Sequence, residues 1–254
     1  MVGVLKNVAV VILAAGKGTR MNSVAAKVLH LIQGKPMVSY VLDTARRIAG
    51  KNVIVVVGHQ AEKVRRVVSE EFDSVFAYQA VQRGTGHAVQ CAMPSVPEKI
   101  SDVVILCGDV PLITAESVGE LVALHRDVAA VVTVMSMEVD DPHGYGRIVV
   151  DADGRVSGIV EEADAVAVEK EIRIVNAGVY CVERAFLSRA LIQLRDENAQ
   201  GELYLTDIVR IAYDQRLKIG MLKLSDPREV IGVNSPGDLA AVAEIMSSQI
   251  FEKS

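Results

Sequence analysis

Five cations stand in the first 42 residues, Lys6, Lys17, Arg20, Lys27 and Lys35, with no aspartate or glutamate among them. Three of the five fall in or just after a glycine-rich turn, residues 13–21 (LAAGKGTRM). A glycine turn leaving a buried strand points several backbone N–H groups at one spot, where phosphate is favoured. Lys17, Arg20 and Lys27 would repel one another around those amides without an anion, and a triphosphate carries the needed charge. Two familiar motifs do not fit. The dinucleotide fingerprint needs a glycine three residues after Gly18, where Met21 stands. The P-loop needs four residues between its glycines and then Gly-Lys-Ser/Thr, which the chain lacks. A carboxylate for the same chemistry is Asp109, just beyond the apolar run 103–106, because ligands of open α/β sheets gather at the carboxyl ends of strands.

These residues need strands and helices to hold them. Four apolar, largely β-branched runs, 8–13, 53–57, 103–106 and 129–137, lack alternation, as strands covered on both faces do. Helical patterns fall between them: from Pro36 to Gly50, over 60–71, over 86–93, and from a Thr114 cap to about Arg126. The alternation predicts a doubly wound, mainly parallel α/β sheet. The pattern then changes. A hairpin is predicted over 147–160 around the turn 151–154, with a strand over 172–181, helices over 183–195 and 205–215, and a strand over 218–224. Ser235-Pro236 with Asp238 reads as a helix start. The second half is expected to form a substrate subdomain on the same core.

The remainder of the chain, with 22 basic and 32 acidic residues, carries −10, so the whole carries −5, which argues against a general nucleic-acid binder. Tryptophan is absent and aromatics make up 4%, so no stacking platform for single strands is expected. The longest apolar stretch, 8–15, is far below the roughly 18–20 residues of a membrane span. No secretory signal is read at the start. Cys91, Cys107 and Cys181 form no CxxC and suggest core packing in a cytoplasmic protein. Motifs of the GxSxG and HExxH types are absent.

Several segments stand in a telling order: LAAGKGTRM and AAKVLH at 13–30, QAVQRGTGH at 79–87, GDVPL at 108–112, GYGR at 144–147, GIVE at 158–161, NAG at 176–178, QGELYLTD at 200–207 and GVN at 232–234. Together they resemble the sugar-1-phosphate nucleotidyltransferases, and among these the uridylyltransferase domain of bacterial N-acetylglucosamine-1-phosphate uridylyltransferases, from residue 8 to about 240. The resemblance implies a Rossmann-like, nucleotide-diphospho-sugar transferase fold with a small sugar-binding β subdomain. Residues 1–234 would form the nucleotidyltransferase domain, with about 140–204 holding the sugar, and 235–254 a C-terminal helix. It implies UTP and N-acetylglucosamine-1-phosphate as substrates and Mg²⁺ as cofactor. A glucose-1-phosphate enzyme of the same fold, or a non-catalytic sugar-nucleotide sensor, are the alternatives; Arg20, Lys27 and Asp109 together speak against the sensor.

By the same resemblance, Leu13, Ala14, Ala15 and Gly16 would lie against the nucleotide, with Gly18 and Thr19 in the phosphate turn. Arg20 would hold the β,γ-phosphates and Lys27 the α-phosphate. Gln79, Gly84 and Thr85 would read the uracil edge, which needs a donor and an acceptor together. Asp109 and Asn234 would hold the metal. Gly146, Glu161 and Asn176 would bind the sugar, with Tyr204 and Thr206 on the same wall. His87 is read as capping or packing. One departure is Ala26, where the family usually has proline. The chain has no hexapeptide repeat, so the acetyl-transferring β-helix that follows this domain in those enzymes is not expected, and a monomer or weak dimer is.

Overall fold

The computed structural model describes residues 3–21 and 23–252, with the side chains of Thr19 and 249–252 outside the described set. Its strands and helices run in the order β1 (Val8–Ala14), β2 (Leu31–Ile32), β3 (Lys35–Pro36), α1 (Met37–Ala49), β4 (Val53–Val57), α2 (Ala61–Glu71), β5 (Val75–Tyr78), α3 (Thr85–Ala92), β6 (Asp102–Cys107), α4 (Ala115–Asp127), β7 (Val132–Glu138), β8 (Arg147–Val150), β9 (Val156–Val160), α5 (Ala167–Lys170), β10 (Ile174–Glu183), α6 (Arg184–Leu191), α7 (Asp207–Asp214), β11 (Ile219–Lys223) and α8 (Pro236–Glu252). The main sheet has the order β11-β7-β10-β6-β1-β4-β5. Strand β1 is its centre, parallel to β4 on one side and β6 on the other. The chain therefore reverses its direction of travel across the sheet at β1, and a crevice opens between the carboxyl ends of β1 and β6.

Alternate residues of β1 feed two cores, which explains its unbroken apolar run. Val8, Val10, Ile12 and Ala14 face Val41 and Leu42 of α1, Val64 and Val68 of α2, and Val118 and Leu121 of α4. Ala9, Val11 and Ala15 face Val89 of α3, Phe186 and Leu187 of α6, and Ile208 and Val209 of α7. Pro36 precedes α1 and Gly50, at φ +59°, ends it. Thr114 caps α4 by accepting from Ser117 N at 3.1 Å, satisfying one of the donors a helix start leaves free. At α8, Asp238 Oδ2 accepts from Ser235 N at 2.9 Å while Asp238 N donates to Ser235 Oγ at 3.2 Å, a reciprocal cap. No described helix is long and apolar enough to cross a membrane.

Two features differ from expectation. The strand placed over 129–137 starts at Val132 and does not pair with β6: β10 inserts between them, antiparallel to both. Most of the second half is also not a separate layer. Strands β7, β10 and β11 extend the main sheet, and only the β8–β9 hairpin branches from it, through β10. A third, small core of Met21, Ile32, Met37, Val233 and Val242 ties the cationic loop, the β2–β3 hairpin and α8 together. Of Lys6 and Lys35, the two early lysines outside the glycine turn and its flank, Lys35 pairs with Asp43 at 2.5 Å and lies 5.2 Å from the Tyr40 ring centroid.

Candidate active site

Leu13 and Cys107 are register partners, and Gly108 N donates to Leu13 O at 2.9 Å, so the glycine turn and Asp109 leave neighbouring strands at one level. Between them lies a cleft of about 490 Å³. Leu13, Ala14, Ala15, Gly16 and Gly18 line it on one side and Gln79, Gly84 and Thr85 on the other. Thr19 sits in the 3-10 turn Thr19–Met21, and its side chain lies outside the described residues. The cleft adds Gln82, Cys107 and Glu202, which sequence reasoning missed. Burial pushes the Cys107 thiol up to about 12, so it is protonated at neutral pH and no nucleophile.

At the mouth of the cleft the cations meet their partners. Lys27 Nζ forms an ion pair with Asp109 Oδ2 and donates to Asn234 Oδ1 at 3.1 Å. Arg20 Nη2 donates to the same Asn234 oxygen at 3.0 Å. The Lys27 ammonium, expected opposite phosphate, thus has Asp109 as its partner here. Gly18 makes the approach feasible: at φ +63°, a Cβ there would lie 2.5 Å from Lys27 Cβ. Val233 N donates to Asp109 O at 2.9 Å, which carries Asn234 to the carboxylate across 125 residues of chain. Ala26 has φ −56° and ψ 136°, values a proline also adopts.

A divalent metal is the ion the resemblance implies, and the donor set fits one. Asp109 Oδ2 and Asn234 Oδ1 converge on a single cation, Lys27 Nζ. Two hard oxygens in that arrangement can hold a metal that takes its other ligands from phosphate and water.

Gln79 is 3% exposed and extends β5, its N–H donating to Val57 O at 2.8 Å. Its amide nitrogen donates to Gly84 O at 3.1 Å and lies 3.2 Å from His87 Nδ1. His87 therefore braces the Gln79 amide from the first turns of α3. The start of α3 is zipped to residues 203–205. Gly86 N donates to Leu203 O at 2.8 Å, Leu203 N to Arg83 O at 2.8 Å, and Leu205 N to Thr85 Oγ1 at 3.0 Å.

That zipper carries Tyr204 and Thr206 to a second cluster beside the cleft. Thr206 Oγ1 donates to Glu161 Oε1 at 3.0 Å, and Tyr204 OH to Asp164 Oδ2 at 3.1 Å. Gly146 lies against Glu161: a Cβ there would stand 2.9 Å from Ile159 Cγ2 and 3.3 Å from Glu161 Oε2. Asn176 joins through its backbone, N donating to Gly146 O at 2.8 Å. Its side chain is engaged elsewhere, donating to Tyr180 OH at 2.7 Å and accepting from Gly178 N at 3.0 Å. Gly146, Glu161, Asn176, Tyr204 and Thr206 do not line the cleft itself; Cys107, which does, reaches their side through Gly178 O at 3.6 Å. Glu162 faces away and pairs with Arg147, which is 2% exposed.

Burial raises the Glu161 pKa, with Asp207, Asp164 and Glu202 adding to the effect and Thr206 opposing it. The folded protein then holds this proton to higher pH than the unfolded chain does. The penalty is absent below the unfolded value of 4.5 and grows as pH rises through the folded pKa. Glu161→Gln keeps the acceptor for Thr206 but cannot ionise. Thermal melts are expected to match wild type at acid pH and to exceed it at neutral pH; equal melting at both would show that Glu161 is not strained by burial.

The sequence matches the nucleotidyl transferase family over residues 9–226. It is 46% identical over 246 residues to the bifunctional protein GlmU of Geotalea uraniireducens, covering 97% of this chain and 54% of that protein. It is 45% identical over 236 residues to the bifunctional protein GlmU of Desulfotalea psychrophila, covering 93% of this chain and 69% of that protein. The chain thus spans about half the length of the first of these relatives. Among solved structures, a candidate glucose-1-phosphate thymidylyltransferase from Bacillus anthracis superposes with a TM-score of 0.72 at 19% identity, covering 94% of each chain, a likeness of fold. Sequence match, fold and cleft agree, and the chain belongs to the nucleotidyl transferase family.

Proposed function

We propose that this chain transfers UMP from UTP to N-acetylglucosamine-1-phosphate, giving UDP-N-acetylglucosamine and pyrophosphate, with Mg²⁺ as the metal. The observation that carries it is the convergence of Arg20, Lys27, Asp109 and Asn234 at the mouth of a cleft floored by the glycine turn. The motifs shared with N-acetylglucosamine-1-phosphate uridylyltransferases and the GlmU relatives over nearly the whole chain support the choice of substrates.

The sugar phosphate is already an anion, so its attack on the α-phosphorus needs no strong base; orientation and charge neutralisation supply the rate. The amides of 14–18 cradle phosphate oxygens. Arg20, exposed and forked, reaches the departing β,γ-phosphates. Lys27 exchanges Asp109 for the α-phosphate, where charge builds. Gln79, braced by His87, offers its amide to the pyrimidine edge. Glu161, Thr206, Tyr204, Gly146 and the backbone at Asn176 face the sugar. When bound at Asp109 and Asn234, Mg²⁺ supplies further neutralisation of the phosphates. The three free cysteines fit a cytoplasmic setting, and a monomer or weak dimer is proposed.

The test is pyrophosphate release with UTP, Mg²⁺ and a panel of sugar-1-phosphates. Turnover highest with N-acetylglucosamine-1-phosphate is expected. Preference for glucose-1-phosphate would overturn the sugar, and no turnover with any sugar would overturn the enzyme.

A further inference from the structure

Two cations of the chain meet at Asn234 Oδ1, and one of them, Lys27, also holds Asp109. Lys27 Nζ is paired with Asp109 Oδ2 and bonded to Asn234 Oδ1, and Arg20 Nη2 lies on the same Asn234 oxygen. Asp109 is thus neutralised and Asn234 doubly engaged by the chain's own side chains. Among the described residues, no group of three or more His, Cys, Asp or Glu side chains offers a metal another place. The lysine stem is also confined. It crosses Gly18 so closely that a Cβ there would stand 2.5 Å from Lys27 Cβ, and only 16% of its side chain is exposed. From that anchored stem the ammonium can serve Asp109 or turn to an anion in the cleft that Lys27 itself lines.

We infer that Lys27 closes the divalent-metal site, so that metal and nucleotide enter with positive coupling through this one side chain. A metal needs its oxygen ligands at about 2.0–2.1 Å, and an ammonium on the same two oxygens both occupies the space and repels the charge. A triphosphate gives the ammonium another partner, which frees Asp109 and Asn234 as it brings oxygens of its own. By linkage, the metal then strengthens nucleotide binding by the same factor that the nucleotide strengthens metal binding. This rests on Asp109 and Asn234 being the metal-holding pair in the proposed function, but not on the identity of the sugar or base.

The test titrates Mn²⁺ into the full chain without nucleotide, followed by the loss of the free-ion electron spin resonance signal, and repeats it with UTP present. Lys27→Met removes the charge and keeps the length of the stem. It is expected to raise Mn²⁺ affinity for the protein alone about tenfold or more, and to bring the coupling between UTP and Mn²⁺ close to 1. Lys27→Arg keeps the charge and is expected to keep the site closed. Lys6→Met, which removes an exposed charge at the other end of β1 from Asp109, is expected to leave the coupling as it is. Equal Mn²⁺ affinity in wild type and Lys27→Met overturns the inference, whatever the turnover assay gives. A gain in Mn²⁺ affinity in a protein that turns over no sugar phosphate supports the inference and overturns the proposed function instead.

Discussion

Lys27→Ala is expected to lower kcat about 10²–10³-fold, the usual loss when one preorganised charge facing a reaction centre is removed. The lysine approaches from the turn Lys27–Leu29 and meets Asp109 beyond the end of β6, where the proposed function puts the α-phosphate. Val28 beside it is buried in the main core and holds the turn in place. Asp109 loses its ion pair at 18% exposure, so the melting temperature is expected to fall modestly while turnover collapses. Initial rates with UTP and sugar phosphate, set beside a thermal melt, check both statements. Full activity in Lys27→Ala would remove the lysine from the chemistry.

Gly84→Ala is expected to damage both stability and nucleotide binding. Gly84 has φ +101°, a conformation that costs a residue with a side chain about 1–3 kcal/mol. The added Cβ would also meet backbone, lying 2.6 Å from Leu203 O and 2.9 Å from Leu203 N. Those atoms belong to the zipper between α3 and residues 203–205, which cannot yield as a flexible side chain would. A combined loss of about 3 kcal/mol is expected in denaturant unfolding, at the upper end of ordinary single substitutions. Because Gln79 donates to Gly84 O, the same shift moves the amide that we propose faces the base. KM for UTP is expected to rise about tenfold, with a smaller fall in kcat. Unfolding like that of wild type would show that the turn at Gly84 relaxes without cost.

Each of these residues was visible in the sequence as a type in a place. Gly84 follows Arg83 in a short glycine-containing segment between a strand and a helix, and Lys27 follows a glycine turn. What each one touches was not visible. Leu203 is 119 residues from Gly84, and Asp109 is 82 from Lys27. Glu202 and Gln82 escaped notice because nothing in a lone acid or amide marks it as lining a cleft. Arg147 is the sharper case. It belongs to GYGR, reads as a surface residue by type, and is buried in an ion pair with Glu162.

Local physics decided the elements. Unbroken β-branched runs must be covered on both faces, so β1, β4 and β6 follow from their residues, and Thr114, Pro36, Gly50 and the Ser235–Asp238 pair mark where helices begin and end. The three cations around one glycine turn likewise pointed to an anion site, which the proposed function assigns to phosphate. Strand partners were decided elsewhere. An apolar run covered on both faces looks alike in either direction, so nothing in 174–183 told that β10 would lie antiparallel between β6 and β7. The meeting of Lys27, Asp109, Asn234 and Arg20 was decided the same way. Four side chains from three loops reach one point only because β1 and β6 end at the same level and the Val233–Asp109 hydrogen bond draws in the third loop. Pairing across long stretches of chain is a property of the packed sheet, and that packing set the balance of charge at the site.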